Sequence, residues 1–473
     1  MTRMAIKDGA SKHAVELQDV SNYLNSSGNS PKADSSNGEQ QAPSHAVHAL
    51  ERWNQSRTSI FKTLSTFFGF TVMGANDAAY GAIIPYLGPY YNVSYTVVSL
   101  VFLSPLIGYV TSAMLNNYIH KTLGQRGIAI IGPTAHLVAY VIICLHPPYP
   151  VLVVSFILAG FANGILDAAW NAWIGGLANP NEILGFLHGF YGLGAVLSPL
   201  IATALITQAK LGWWSFYYIM IGGAIMEMAT GTAAFWHESG ARYRASMSNE
   251  QSTKGATRAA LKTRVAWVSA IFLLIYVGIE VSLGGWIVQF MLEVRNGKNF
   301  ESGLSAMGFW LGITVGRLVL GFITPKIGEN LSICIYLLCA MAMQLLFWLV
   351  PSFIVSSIAV GFVGFFLGPL FPAVVVAVSK LLPSHLHVPT IGFAAAFGGG
   401  GAAVLPFGIG AMAQAVGVKV LQPVIIGFMG AAFLLWTFGM PRIGASDGAD
   451  KDKLGHVKTK VHSLFLGCFA ARL

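Results

Sequence analysis

Two adjacent polar residues, Asn76 and Asp77, interrupt an otherwise apolar stretch of the sequence. The segment FKTLSTFFGFTVM precedes them and IIPYLGPYYNV follows shortly after. A charged side chain at the centre of a bilayer costs at least about 2.5–3.5 kcal/mol to insert, so Asp77 needs a reason to be there. It has two interpretations. It is a structural carboxylate bonded to the backbone where Gly74 and Gly81 loosen the helix, or it is a proton acceptor whose neutral form crosses the membrane at lower cost.

A second set of polar residues lies in the apolar segment GFANGILDAAWNAWIGG. Asn163, Asp167 and Asn171 are spaced four residues apart, which places them on one face of a helix. Trp170 lies beside them and offers a flat apolar surface. Two amides, a carboxylate and an indole suit a ligand that is rich in hydroxyl groups, and we expect these residues, with Asn76, to line a substrate cavity. The alternative is a seam of hydrogen bonds between helices.

The next apolar segment contains His188 and Tyr191, three residues apart. His188 could relay protons or bind substrate together with Tyr191, or its ring could simply be satisfied by a neighbouring side chain. Its counterpart in the internal repeat described below is Ala395. His188 is thus peculiar to the first half, as expected if that half holds the titrating groups.

Opposite charges occur in two apolar segments of the second half, where Glu280 and Arg317 lie. A buried guanidinium needs a partner, so we predict a structural or gating ion pair between them, with a substrate role for Glu280 as the second interpretation. Trp286 and Gln289 follow Glu280 by six and nine residues and are expected to line the second half of the cavity. Glu227 is expected to serve local packing or to snorkel.

The composition indicates a membrane protein. The chain has 473 residues, of which 55% are hydrophobic and 10% charged, and its mean hydropathy is +0.63. Soluble domains carry about 25% charged residues. No nucleophile–base arrangement stands out, so an enzyme is not expected. No metal-ligand spacing and no cofactor motif is present, and the net charge of +9 has no aromatic–basic motif that would indicate nucleic-acid binding.

Twelve apolar segments approach or exceed the length of about 20 residues that a helix needs to cross the hydrocarbon. The predicted spans are 60–89, 96–118, 127–145, 151–178, 184–207, 214–236, 265–292, 303–324, 331–350, 352–380, 388–414 and 419–440. The predicted fold is an all-α membrane protein with twelve transmembrane helices in two six-helix bundles. The predicted domains are a disordered tail (1–57), a first bundle (58–236), a linker (237–263), a second bundle (264–440) and a second tail (441–473).

The two halves are similar in sequence. GFLHGFYGLGAVLSP (185–199) aligns with GFAAAFGGGGAAVLP (392–406) at seven of fifteen positions, where about one match is expected at background frequencies. Gly74 and Gly81 recur with the same spacing as Gly278 and Gly285. Offsets of 201 to 207 residues indicate a duplicated bundle.

Lysine and arginine are concentrated in the linker and in the loops on its side of the membrane. By the positive-inside rule, this bias predicts that both termini and the linker are cytoplasmic. The net positive charge is therefore mainly a topology signal. The sequence leaves open whether the membrane is the plasma membrane or the vacuolar membrane.

Several motifs resemble those of a known family. GANDAAYGAIIPYL in the first span, LHGFYGLGAVLSPLIAT in the fifth and GFWLGITVGRLVLGFITPKIGE in the eighth are similar to fungal members of the major facilitator superfamily. This branch is related to the fucose–proton symporters and includes the yeast "bypass of stop codon" transporter. The resemblance covers residues 60–440 and implies the major facilitator fold and secondary transport.

The resemblance also implies roles for individual residues. In the fucose symporter, an aspartate of the first helix and a glutamate of the fourth take part in proton coupling, and Asp77 and Asp167 lie on those helices here. The fourth helix thus carries a side chain that is one methylene shorter. The loop LNNYIHKTLGQRG lacks the acidic residue that usually precedes a Gly–Arg turn in this family, which predicts a weaker charge lock at the gate of the first half.

The predicted function is proton-coupled secondary transport of a small polar solute, such as a sugar, by a monomer embedded in the lipid bilayer. The predicted partners are a small-molecule substrate and protons. Two alternatives remain open at this stage. An efflux carrier for a metabolite or xenobiotic is favoured if the cavity is large and aromatic, and a nutrient sensor with the same fold would not transport at all.

Overall fold

The regular structure of the chain is helical throughout the part that the structure describes. The computed structural model describes residues 51–178, 180–247 and 256–440, and no strand occurs in these ranges. The membrane-length helices are Arg57–Tyr91, Leu100–Cys144, Tyr149–Gly175, Pro180–Thr207, Ser215–Phe235, Arg264–Glu293, Asn299–Ile327, Glu329–Leu349, Ser384–Val416, the pair Phe353–Leu367 and Leu370–Leu381, and Leu421–Leu434 with its continuation Leu435–Gly439. The predicted all-α class is confirmed. The predicted tail 441–473 and residues 1–50 lie outside the described residues.

The number of crossings follows from two details. Within the described ranges, ten helical segments are long and apolar enough to cross a membrane, and one of them, Tyr95–Cys144, is 50 residues long. That segment is interrupted at Gly124, which has non-helical backbone angles, so it forms two spans. The helix Arg57–Tyr91 has 35 residues and is also long enough. The helices are therefore consistent with twelve crossings, which are numbered below as the first to twelfth spans in chain order. The two parts of Leu100–Cys144 on either side of Gly124 are the second and third spans, and the pair Phe353–Leu367 and Leu370–Leu381 is the tenth.

The linker packs against the first half of the chain near Gly124. The φ angle of Gly124 is 73°, and a Cβ at this position would lie 2.4 Å from the carbonyl oxygen of Glu238, so only glycine fits. The Arg126 N–H donates to the same carbonyl over 3.1 Å. The Glu238 carboxylate lies 2.5 Å from Lys62 Nζ. We call this side of the molecule the linker side and the opposite side the far side.

The second and fourth spans cross in the same way as the eighth and tenth. A Cβ on Gly108 would lie 2.0 Å from the carbonyl oxygen of Ile157, and a Cβ on Gly312 would lie 2.0 Å from that of Gly361. Both glycines therefore allow two backbones to touch. Each residue of the second pair follows its counterpart by 204 positions, which is the offset of the sequence repeat.

The first and fifth spans show the same relation to the seventh and eleventh. A Cβ on Gly194 would lie 2.0 Å from the carbonyl oxygen of Thr71, and a Cβ on Gly401 would lie 1.9 Å from that of Leu274. These pairs are offset by 207 and 203 residues. The close backbone contacts of the first half thus recur in the second half with the spacing of the repeat.

Close contacts between the two halves are concentrated toward the far side. A Cβ on Gly81 of the first span would lie 1.9 Å from the carbonyl oxygen of Gly284 of the seventh. At the far ends of the spans, the Tyr95 N–H donates to Gln414 Oε1 over 2.9 Å. Tyr95 is further bonded through its hydroxyl to Glu293 of the seventh span. In this conformation, the described helices pack tightly across the far side.

Candidate functional site

The Asp77 carboxylate is surrounded by hydrogen-bond donors from three helices. Asn76 Nδ2 and Asn163 Nδ2 donate to Asp77 Oδ1 over 3.0 and 2.7 Å. Tyr191 of the fifth span donates its hydroxyl to Asp77 Oδ2 over 2.9 Å. No lysine or arginine within the described ranges forms an ion pair with Asp77. The carboxylate is thus held by neutral donors alone.

Asp77 reaches these donors because a small residue beside it, Gly74, lets the first and fifth spans pack closely. A Cβ on Gly74 would lie 2.0 Å from the carbonyl oxygen of Tyr191, so the fifth span approaches the first at van der Waals contact. Ser198 of the fifth span donates its hydroxyl to the Ala75 carbonyl of the first span over 2.7 Å. This close crossing places the Tyr191 hydroxyl within reach of the carboxylate.

A hydrogen-bonded chain continues from Asp77 into the core of the first half. Asn163 Oδ1 lies 2.8 Å from His136 Nε2, and His136 Nδ1 lies 3.0 Å from Glu227 Oε2. Asn163, His136 and Glu227 are 1%, 0% and 3% exposed. The chain therefore joins the first, fourth, third and sixth spans in that order. Of the two alternatives expected for Glu227, snorkelling is wrong, because its carboxylate is buried against His136, and a packing role within the bundle remains.

His136 was not among the predicted site residues. It lies in the middle of the predicted third span, where an ionisable side chain is by itself a signal of function. Its partners are on the fourth and sixth spans, and their positions relative to His136 depend on how the helices are rotated. The sequence therefore gives the residue type and depth, but not the contacts.

Asp167 and Asn171, two other polar residues of the fourth span, are hydrogen-bonded to each other. Asn171 Nδ2 donates to Asp167 Oδ1 and to the Asp167 carbonyl, both over 2.9 Å. Asp167 and Asn171 are half-buried, whereas Trp170 is buried and stacks on Phe235 at 4.6 Å between ring centroids. The predicted stripe is thus divided: Asn163 bonds to Asp77, and Asp167 pairs with Asn171.

His188 lies between aromatic rings of both halves. Its ring meets Phe70 edge-on at 5.5 Å and lies 6.4 Å from the ring of Phe371 in the tenth span. His188 is half-buried. Among the predicted first-half residues, it is the one in ring contact with the second half.

In the second half, Arg317 Nη2 lies 3.1 Å from Glu280 Oε1, the distance of an ion pair. Arg317 Nε also donates to the Gly368 carbonyl over 3.2 Å. That carbonyl would ordinarily accept from the residue four positions later, but Pro372 has no N–H. Arg317 therefore neutralises Glu280 and supplies the missing donor where the tenth span is broken.

Trp286 and Gln289 belong to the contacts near the far side. Trp286 is fully buried and donates from Nε1 to the Pro406 carbonyl over 2.9 Å, and its ring lies 6.2 Å from Phe102 of the first half. Gln289 Nε2 donates to the Tyr95 hydroxyl over 3.2 Å. The structure thus places both side chains where the two halves meet.

The helical fold and the polar chain buried among its spans define a multi-pass integral membrane protein. Residues 66–406 match the family model of the Major Facilitator Superfamily. The chain belongs to this superfamily, which confirms the predicted resemblance. Members of the family are carriers, so the prediction that the chain is not an enzyme is also confirmed.

Two related proteins and one structure are similar over most of the chain. It is 30% identical over 401 residues to "Bypass of stop codon protein 6" of Saccharomyces cerevisiae (strain ATCC 204508 / S288c), covering 78% of this chain and 80% of that protein. It is 22% identical over 351 residues to "Glucose/mannose transporter GlcP" of Bacillus subtilis (strain 168), covering 72% and 85%. The crystal structure of a D-xylose-proton symporter has a similar fold, with a TM-score of 0.66, 14% identity and coverage of 81% and 99%.

Proposed function

We propose that the chain is a secondary active transporter that couples the movement of a small polar solute, such as a sugar, to that of protons. The observation that carries this proposal is the environment of Asp77. Its carboxylate receives donors from Asn76, Asn163 and Tyr191 and has no cationic partner among the described residues. Such a group can bind a proton without breaking an ion pair, and protonation removes the cost of a buried charge.

The solute class is proposed from side-chain chemistry and from one relative. Amides and carboxylates with adjoining aromatic rings recognise hydroxyl groups and the apolar edges of sugars, and a related protein is named as a glucose/mannose transporter. Asp77 and Asp167 are the proposed proton-coupling residues. The residues proposed to line the cavity are Asn76, Asn163, Trp170, Asn171, His188, Tyr191, Glu280, Trp286 and Gln289.

The proposed organisation follows the charge bias and the repeat. Residues 58–236 and 264–440 form two bundles that move relative to each other, and the linker 237–263 lies in the cytoplasm with both termini. The conformation with a packed far side is then closed to the outside. The protein acts as a monomer in the plasma or vacuolar membrane.

The proposal is tested by a screen of labelled sugars in proteoliposomes that carry an imposed pH gradient. We expect at least one sugar to accumulate against its own gradient, and accumulation to stop when a protonophore dissipates the pH gradient. Liposomes without protein are the control. Accumulation that survives the protonophore would contradict proton coupling, and extrusion of the sugar would indicate an efflux carrier.

A further inference from the structure

The directions of the hydrogen bonds that connect Asp77, Asn163, His136 and Glu227 determine which of their atoms carry protons. The Asp77 carboxylate accepts, so the Asn163 amide must present its NH₂ group to Asp77 and its oxygen to His136. His136 Nε2 must then carry a hydrogen in order to donate to that oxygen. The remaining ring nitrogen, Nδ1, faces Glu227 Oε2 at 3.0 Å.

The contact between His136 and Glu227 requires a second proton. A bare Nδ1 and a carboxylate oxygen are both acceptors, and at 3.0 Å they would repel. A proton must therefore lie between them, either on the imidazole as an imidazolium–carboxylate pair or on the carboxyl group. In both forms the pair carries no net charge and holds one proton that it can lose.

Within the described ranges, no lysine or arginine forms an ion pair with His136 or Glu227. The second oxygen of Glu227, Oε1, is buried and has no hydrogen-bond partner. Among the described residues, the titratable groups around the pair are Tyr140 on the third span, Tyr217 on the sixth, and Tyr80 and Asp77 on the first. Asp77 is itself faced by Tyr109 on the second span, Asp167 on the fourth and Tyr191 on the fifth. Tyrosines are neutral near pH 7. Asp77 and Asp167 are therefore the carboxyl groups in this set, and of the two it is Asp77 that is bonded to Asn163.

From this arrangement we infer that His136 and Glu227 form a second proton-binding site. The Asn163 amide links this site to Asp77, so that a proton bound at one of the two sites disfavours a proton at the other. When the pair loses one proton to water, the hydrogen that remains on the imidazole lies on Nδ1 and faces the Glu227 carboxylate. Nε2 then becomes an acceptor. Asn163 must rotate to donate to it, and this turns the Asn163 oxygen toward Asp77.

Rotation of Asn163 favours protonation of Asp77. An amide oxygen beside a carboxylate is repelled, whereas beside a carboxylic acid it accepts the acid's hydrogen. The proton that Asp77 binds comes from water, so each site exchanges protons with solvent and Asn163 transfers none. One proton then occupies either the His136–Glu227 pair or Asp77. This inference deepens the proposed function, because it rests on Asp77 as the coupling carboxylate.

The linkage is tested by infrared pH titration of the purified full-length protein without solute. The carboxylic-acid band of Asp77 is identified as the one that is absent in Asp77→Asn. Glu227→Gln removes the carboxylate that holds the imidazole hydrogen on Nδ1 after the pair has lost its proton, so the rotation of Asn163 that favours protonated Asp77 is no longer driven. We expect the pH at which Asp77 becomes half protonated to fall by about one unit or more, the size of a strong coupling between two sites.

Two further variants separate this relay from its alternatives. In the Asn163→Ala background, Glu227→Gln should no longer shift the titration of Asp77, whereas a direct Coulomb interaction would survive the loss of Asn163. Glu182→Gln, which removes an exposed carboxylate, should leave the titration unchanged. If Glu227→Gln does not fold, the linkage can be measured from the side of His136, because coupling between two sites is reciprocal. Asp77→Asn should then make the proton of the His136–Glu227 pair easier to remove, which is followed by ¹⁵N-histidine spectra.

The outcomes distinguish the relay from the proposed function. An Asp77 band that titrates identically in wild type and Glu227→Gln overturns the relay and leaves proton coupling through Asp77 intact. A shift that persists unchanged in the Asn163→Ala background also overturns it. An Asp77 band that never titrates overturns the proposed proton role itself.

Discussion

Asp77 and Glu280 are both carboxylates within membrane spans, but their hydrogen-bond and ion-pair partners differ. Asp77 is held by the side chains of Asn76, Asn163 and Tyr191, whereas Glu280 is neutralised by Arg317. A charge that is paired with arginine stays fixed, because the guanidinium does not release its proton. A charge held by neutral donors can be removed by protonation. The first half therefore holds a carboxylate that can be protonated without breaking an ion pair with lysine or arginine, and the second half holds a carboxylate paired with arginine.

The ion pair leads to a prediction about stability. Reversing the charge of Glu280 or of Arg317 alone leaves two like charges together, and breaking a buried pair costs about 3–5 kcal/mol. We expect each single reversal to lower the melting temperature of the detergent-solubilised protein substantially. The double reversal should recover part of that loss. Equal damage from the double and single variants would show that the pair is not a stabilising contact.

At the scale of elements, close helix crossings depend on glycines that touch a neighbouring backbone. Gly108 lies against the Ile157 carbonyl, whereas nothing lies within 4 Å of a Cβ added to Gly222 in the sixth span. Both are glycines within apolar spans, and their sequence surroundings do not distinguish them. The difference arises from which face of each helix meets a neighbour.

This contrast predicts different effects from the same substitution. Gly108→Ala forces the second and fourth spans apart or strains them, at a cost of about 1–3 kcal/mol. Gly222→Ala has room for the added methyl group and replaces a poor helix former, so it should be neutral or slightly stabilising. Thermal unfolding of the two variants in the same detergent measures the difference. Equal melting temperatures would contradict the crossing described here.

Much of the order of the helical spans could be predicted from the sequence, but fewer of the breaks within spans and of the contacts between them. The length and hydropathy of the segments predicted the helical spans, because a chain in lipid must satisfy its backbone within each helix. The structure breaks the tenth span at Gly368 and Pro369. The donor that compensates for Pro372 there is Arg317, which comes from another helix. Local sequence cannot indicate such a contact.

The candidate site shows the same division. Asp77, Asn163 and Tyr191 were selected because polar residues are costly in apolar spans, and the structure brings them into one hydrogen-bonded group. His136 has the same signal but was not selected. Its pairing with Glu227 requires the third and sixth spans to be neighbours in a particular rotation, which depends on tertiary packing.

At the scale of the whole molecule, the two halves are in close contact toward the far side. Gly303 of the eighth span packs on Thr203 of the fifth, with an added Cβ only 2.2 Å from Thr203 Oγ1. Tyr95 bonds to Gln414 and Gln289 of the other half. Transport by alternating access requires these contacts to separate, because the bundles must rock around the site.

A cross-link at this contact should therefore stop transport. In a background with the four native cysteines replaced by serine, Thr203→Cys is combined with Gly303→Cys. A Cβ at residue 303 would lie 2.7 Å from that of residue 203, so the two spans must separate slightly to reach the Cβ–Cβ distance of a disulfide, about 3.5–4.5 Å. We expect oxidation to reduce uptake of the solute to that of protein-free liposomes, and reductant to restore it. Each single cysteine variant is the control. Undiminished uptake by the oxidised protein would show that the far side does not need to open here.

In the proposed mechanism, Asp77 couples proton movement to solute movement. The most direct measurement compares Asp77→Asn with wild type in proteoliposomes, using the transported solute. Solute exchange without a pH gradient should persist, because asparagine mimics the neutral acid. Accumulation driven by the pH gradient should be lost, whereas Asp167→Asn should weaken solute binding as well. If Asp77→Asn concentrates the solute in response to the gradient as well as wild type does, Asp77 is a structural residue and the account is contradicted.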